Sequence, residues 1–182
     1  NLGLSGFIKG EVDLVIAGIN KGPNLGEDTE YSGTVSAAKE ATLLGVKSFA
    51  ISLTARNTFF FSTASFVAKE IAKIILEKGL PENTFLNINV PNIPLDEVKS
   101  YQITSLGKRD YKSQLVQKRD PRGKLYYWLG GDGDRFQLIN GTDFFAIKNG
   151  HISITPLIID RTNYNVMEKL KILIPEKVKV SF

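Results

Sequence analysis

A chain of 182 residues with 42% hydrophobic and 23% charged side chains can bury one sizeable core and is too apolar for a disordered class. It has no cysteine, which excludes a disulfide scaffold or thiolate metal site, and no apolar run approaching the ~18 residues that span a bilayer. The net charge of +4 is local: Gly107 to Lys124 holds seven basic and two acidic residues, against 16 basic and 17 acidic elsewhere.

The opening, Asn1 to Gly10, reads as the end of a helix running into a turn, and no initiator Met is present. Leu14 to Ala17 form a short apolar run ending at Gly18, the pattern of a parallel strand buried on both faces. From Ile19 to Tyr31 the apolar period is lost. Asn20, Gly22, Pro23, Asn24, Gly26 and the acids Glu27, Asp28 and Glu30 read as a loop past a strand end, where open α/β sheets hold ligands.

The pattern turns helical at Ser32, Gly33 and Thr34, with Val35, Ala38, Ala41 and Thr42 on one face and Gly45 as the stop. A helix start leaves its first amides unpaired and carries about half a positive charge, which suits an oxyanion. Gly33 lets a phosphate approach the backbone, and two hydroxyls stand ready to donate to it. A plain Ser N-cap without a ligand is the alternative that these residues leave open. Asn20 and Asn24 carry amide oxygens that either ligate a hard cation or close Asx turns, and the turn is the safer reading for Asn24. Glu27, Asp28 and Glu30 read as a solvated acidic loop.

Val46 to Leu53 gives a second buried strand. Phe60, Ala64, Val67, Ile71, Ile74 and Ile75 then recur at helical spacing, with Gly79 and Pro81 ending the helix and Phe59 to Phe61 read as core. Leu86, Ile88 and Val90 alternate into a third strand. Right-handed crossovers place the carboxyl ends of these strands on one rim, beside the Asn20 loop.

After Pro94 the pattern changes to strands near Tyr101, Phe144 and His151, read as an attached antiparallel arm with a long hairpin turning at Asp120-Pro121-Arg122-Gly123. Tyr111, Tyr126, Tyr127 and Trp128 interleave with the hairpin cations. That composition fits a single-strand nucleic-acid platform, but an oligomer contact is the stronger reading of a projecting aromatic ribbon. His151, inside an apolar strand pattern, reads as a packed or edge histidine rather than a catalytic one. Val166, Met167, Leu170 and Leu173 form an amphipathic helix that docks on the core or on a partner. The expected fold is α/β, a Rossmann-like three-layer core with a mostly parallel sheet. It forms a single domain over 1–182, with a projecting antiparallel β-hairpin arm over 101–131 and a C-terminal helix within 157–182.

GINKGPNLG, from Gly18 to Gly26, followed by YSGTVSAA, from Tyr31 to Ala38, resembles the signature of the survival protein SurE family of metal-dependent nucleotidases. FLNINVP at Phe85 to Pro91, DPRGKLYYW at Asp120 to Trp128 and TDFFAIKNGHISITPL at Thr142 to Leu157 recur in the family's order, so the resemblance covers nearly the whole chain.

It implies a 5′-nucleotidase or acid-phosphatase-type hydrolase acting on nucleoside 5′-monophosphates, with the 3′ isomers as further candidates. One divalent cation, Mg2+ or Mn2+, would be held by an Asp pair, a Ser and the first loop asparagine. Asn20 matches that metal-binding Asn; Ser32, Gly33 and Thr34 match the phosphate-binding segment, with Asn24 lining the same pocket. The Asp pair is expected after a first strand, in a segment preceding residue 1, so the nucleophile is unassigned and the chain alone is expected to be inactive. The resemblance further implies exchange of the hairpin and of the segment 157–182 between subunits of a homodimer or homotetramer, in the cytoplasm; no membrane partner is expected, and nucleic acid is the disfavoured partner. The chain departs from the common family ending, in which a His follows the Pro-Leu pair: Leu157 is followed by Ile158, Ile159, Asp160, Arg161 and Thr162. Two other classes stay in view, a non-catalytic nucleotide- or phosphate-binding module and nucleic-acid binding by the basic hairpin.

Overall fold

Val15–Lys21 (β1), Ser48–Thr54 (β2) and Thr84–Pro91 (β3) run parallel in a computed structural model that describes residues 2–55, 57–109, 114–130 and 136–174. β2 is buried along nearly its whole length because a helix covers each face and its side chains alternate between them. On one face Phe49, Ile51 and Leu53 join Ile88 and Val90 against Ala64, Val67, Ile71 and Ile75 of α2 (Phe61–Lys78). On the other, Ala17, Ala50 and Phe85 meet Val35 and Ala38 of α1 (Gly33–Leu43). The small residues of α1 let the helix lie close to the sheet, and Ser48 Oγ donates to the Ala38 carbonyl at 2.6 Å. This is the three-layer α/β core read from the alternation of strand and helix.

β1 is an edge strand, with Ile16 43% exposed. Between Ala17 and Asn20 its register on β2 shifts. Gly18 sits at that shift with φ +130°, and a Cβ there would lie 2.4 Å from the Ile51 carbonyl oxygen, so the strand closes on β2 only with glycine.

The strands after Pro94 divide differently from the expected arm. Ile152–Ile158 (β7) pairs antiparallel with β3, and Tyr101–Ile103 (β4) pairs parallel with β7, which gives the order β1-β2-β3-β7-β4. Both therefore belong to the main sheet: Ile152 and Ile154 complete the apolar core on the α2 face, and Ser153 and Thr155 share the other face with Asn87 and Asn89. Among the described residues, Gln114–Arg119 (β5) and Leu125–Gly130 (β6) form a separate ribbon. Its turn is the expected one: Gly123 N–H donates to Asp120 O at 2.9 Å, Asp120 Oδ1 accepts from Arg122 and Lys124, and Gly123 takes φ +79°.

The segment near Phe144, read as a strand, is a helix, Asp143–Lys148 (α3). Thr142 caps it by accepting the Phe145 N–H, and its buried Phe144 and Ala146 face the core; the short apolar run was ambiguous in period, and the cap decides it. Tyr164–Leu173 (α4) forms at the expected place but buries none of its residues among those described. Its docking on the core is therefore not what the structure shows. Tyr111 and residues 175–182, to which the hairpin and C-terminal readings extended, lie outside the described residues. No helix among the described residues is long and apolar enough to cross a membrane.

Leu53→Ala removes a fully buried side chain and is expected to cost ~2–5 kcal/mol in urea unfolding, whereas Leu173→Ala on exposed α4 changes stability by less than ~0.5 kcal/mol. Equal losses at the two positions would contradict the assignment of core and free helix.

Candidate functional site

The parallel strands carry their carboxyl ends to one rim, and α1 runs back between β1 and β2, so its first turn opens on that rim. The sense of α1 is fixed by Ser48, at the start of β2, whose hydroxyl bonds the Ala38 carbonyl and Thr42 in the helix's later turns. Gly33 stands at the opposite end. Asn20, at the end of β1, pairs in register with Ser52, which lies on the sheet face that α1 covers. Asn20 and the segment Ser32 to Thr34 therefore share a rim and a layer.

Ser32 is the N-cap, with extended backbone and Oγ accepting the Val35 N–H at 3.1 Å. The hydroxyl proton stays available to a ligand. The amides of Gly33 and Thr34, the first two of the helix, meet no acceptor among the described residues. Gly33 has neither a left-handed φ nor a neighbour within 4 Å of a built Cβ, so nothing among the described residues requires glycine there. What a Cβ would take is the space in front of the helix end, which stays open to an oxyanion.

Asn24 is 6% exposed and acts as a strut. Its backbone N–H donates to Asn89 Oδ1 at 2.9 Å, its carbonyl accepts from Asn87 Nδ2 at 2.8 Å and Asn89 Nδ2 at 2.9 Å, and its own Nδ2 donates to Ser52 Oγ at 2.6 Å. Asn89 thus treats the Asn24 backbone as a neighbouring strand would. The alternation of Asn87 and Asn89 with Leu86, Ile88 and Val90 carried this signal, since two amides at period two on a buried strand must find partners.

The three loop acids are engaged by the fold. Glu27 Oε2 accepts the Arg109 N–H at 2.9 Å, Asp28 pairs with the Arg109 guanidinium, and Glu30 pairs with Arg161. They lie in a 3₁₀ turn, Gly26–Tyr31, rather than in irregular loop. His151 Nδ1 lies 2.9 Å from Ser100 Oγ at the start of β7, three strands from β1, or ~14 Å at the usual strand spacing. The aromatic run is not simple core: Phe59 and Phe61 stack at 5.7 Å, Phe61 is 38% exposed, and Lys21 Nζ sits 4.3 Å over the Phe59 ring beside the rim.

For a divalent cation, the donor chemistry can be tested on Asn20. Its Nδ2 donates to the Gly22 carbonyl at 3.0 Å, which turns the amide oxygen away as the ligating end that a hard cation prefers. Asn20 fits as one neutral ligand. Among the described residues no group of three acids, histidines or cysteines gathers to complete a set.

Asp143 escaped the sequence reading. It is 0% exposed; Oδ2 accepts the Gly26 N–H at 2.8 Å, and Oδ1 accepts the N–H groups of Gly107 and Phe144, each at 2.8 Å. Burial pushes its carboxyl above the ordinary value, and the backbone donors at Gly26, Gly107 and Phe144 pull it part of the way back.

The sequence model described as Survival protein SurE matches residues 1–113. The 5′-nucleotidase SurE of Geotalea uraniireducens (strain Rf4) is 48% identical over 173 residues, 94% of this chain and 69% of that protein. That of Legionella pneumophila (strain Paris) is 43% identical over 176 residues, 97% of this chain and 70% of its own length. The crystal structure of the SurE protein from Aquifex aeolicus superposes with a TM-score of 0.84 at 43% identity, covering 94% of this chain and 70% of that one.

Because the Asp143 carboxyl holds its proton more tightly folded than unfolded, the unfolded chain ionises first as pH rises, and this residue's contribution to stability falls across the window between the two values. The stability difference between wild type and Asp143→Asn, from urea unfolding at a series of pH values, should therefore shrink as pH rises through that window and stay level above it. Parallel pH profiles for the two proteins would contradict this.

Proposed function

The chain belongs to the survival protein SurE family, and from this we propose that it is a nucleotidase, a phosphomonoesterase releasing inorganic phosphate from nucleoside 5′-monophosphates. The observation that carries the reading is the helix start at Ser32 to Thr34, with two open amides behind a glycine that the fold does not need. The Gly33 and Thr34 amides and the Ser32 and Thr34 hydroxyls bind the phosphate oxygens, and the positive end of α1 favours the charge that grows on them in the transition state. Asn24, held by Asn87 and Asn89, keeps the loop beneath them in place.

A divalent cation, Mg2+ or Mn2+ by its oxygen ligands, would neutralise phosphate charge when held by Asn20 and carboxylates. Among the described residues, the edge of β1 next to Asn20 carries no partner strand.

The ribbon supports self-association over nucleic acid. Leu115, Leu125 and Tyr127 line one of its faces and Tyr126 and Trp128 the other, all exposed, and α4 adds Met167, Leu170 and Leu173. Apolar groups on both faces call for a folded partner rather than a single strand lying on one. A second copy in a cytoplasmic homo-oligomer is the proposed cover.

Gly33→Ala is expected to leave the fold as stable or raise it by ~0.4–1 kcal/mol, while weakening binding of adenosine 5′-monophosphate about tenfold or more, ~1.4 kcal/mol, by calorimetric titration with Mg2+ present. Unchanged affinity would remove the helix start from the site. Phosphate release from adenosine 5′-monophosphate with Mg2+ present tests the reaction itself; binding without release would leave a binding module.

A further inference from the structure

Asp143 hydrogen-bonds Gly26, Gly107 and Phe144 rather than Asn20 or Gly33, and it is the most enclosed ionisable group described. We infer that Asp143 is a positioning residue for the phosphate-binding helix start: one carboxylate oxygen holds the backbone at Gly26, six residues ahead of Ser32, and the other holds the backbone at Gly107, seven residues ahead of β5.

The joint leaves no slack. A Cβ on Gly26, at φ +52°, would fall 2.6 Å from the Gly107 carbonyl oxygen and 2.8 Å from the Phe144 ring, and a Cβ on Gly107 would fall 2.6 Å from that ring and 2.9 Å from Asp143 Oδ1. Three backbone segments therefore meet at the carboxylate itself. The Asp143 N–H also donates to the Ser105 carbonyl at 3.0 Å, so α3 holds the 105–107 segment through both backbone and side chain. A second link runs parallel to the first, through Arg109, which donates its N–H to Glu27, pairs with Asp28 and lies over the Phe144 ring at 6.0 Å.

From Gly26 the constraint passes along a short rigid path. Thr29 Oγ1 donates back to the Gly26 carbonyl at 2.8 Å within the 3₁₀ turn, the Ser32 N–H reaches the Thr29 carbonyl, and Ser32 caps α1. The aim of the Gly33 and Thr34 amides thus follows from where Asp143 places Gly26. A carboxylate is the residue this requires. Three N–H donors converge on its two oxygens, and an asparagine would turn an NH2 group toward the N–H of Gly26 or of Gly107 and Phe144, leaving a buried donor without an acceptor. The same joint ties the helix start to the segment 105–109.

The effect on ligand rests on reading Ser32 to Thr34 as the phosphate site; the mechanical link does not. Asp143→Asn and the milder Glu27→Gln, which weakens the Arg109 link, are therefore compared with wild type by amide hydrogen exchange and by calorimetric titration of adenosine 5′-monophosphate with Mg2+. The expected result for Asp143→Asn is about tenfold faster exchange over residues 24–36 and 105–109 together, with β2 and α2 unchanged. Nucleotide affinity should fall ~10-fold or more. Glu27→Gln should move both readouts in the same direction by less, and it carries the test if Asp143→Asn does not fold. Loosening of one segment without the other, or intact affinity in a variant whose loop has loosened, would overturn the inference. Coupled loosening in a protein whose wild type binds no nucleotide would instead refute the functional reading and leave the link standing.

Discussion

A loop that offers its backbone amides to a ligand must have its remaining polar groups satisfied by the protein, and this structure depends on how the segment Asn20 to Ser32 meets that demand. A buried peptide group without a partner costs as much as a lost hydrogen bond, and a charged one costs more. Here the Asn24 backbone is paired with side-chain amides on β3, and the Gly26 amide is paired with a carboxylate on α3. Only after these groups are fixed do the Gly33 and Thr34 amides remain, at a helix end whose Gly33 is exposed and Thr34 half-buried.

The sheet is built to supply that support. Its α2 face is apolar from Phe49 to Ile154, whereas its α1 face carries Ser48, Ser52, Asn87, Asn89, Ser153 and Thr155, all buried. Thr104 bonds both Ser153 and Thr155 at 2.8 Å, which continues the polar seam toward the sheet's far side. Each bond of this kind contributes only ~0.5–1.5 kcal/mol net, but removing one partner leaves a buried group that costs ~1–3 kcal/mol. The seam thus gives the loop one geometry rather than several of similar energy, which is what an oxyanion site needs.

Much of this was legible from local pattern. The helical spacing from Val35 to Ala41 and the Ser-Gly-Thr start are one-dimensional signals, and they appear as α1 and its N-cap; the apolar run before Gly18 does appear as β1, but as an exposed edge strand that continues through Asn20 to Lys21 rather than one buried on both faces. What escaped depends on distant partners. Asp143 sits next to two phenylalanines in a run that scans equally as strand or helix, and its ligands lie 117 and 36 residues away at Gly26 and Gly107. β4 and β7 look like hairpin strands in isolation, and only pairing with β3 enrols them in the main sheet. Glu27 and Asp28 read as solvated acids because Arg109, which engages both, is more than 80 residues on.

The account stands on the claim that the open amides of α1 receive a phosphoryl group. Chemical-shift mapping of protein labelled with 15N at glycine and threonine tests it directly, by titration with inorganic phosphate and then with adenosine 5′-monophosphate in the presence of Mg2+. The account predicts saturable downfield shifts of the Gly33 and Thr34 amide protons, the largest in the spectrum for either ligand. Shifts confined to other glycines, with Gly33 and Thr34 unmoved at saturation, would contradict it.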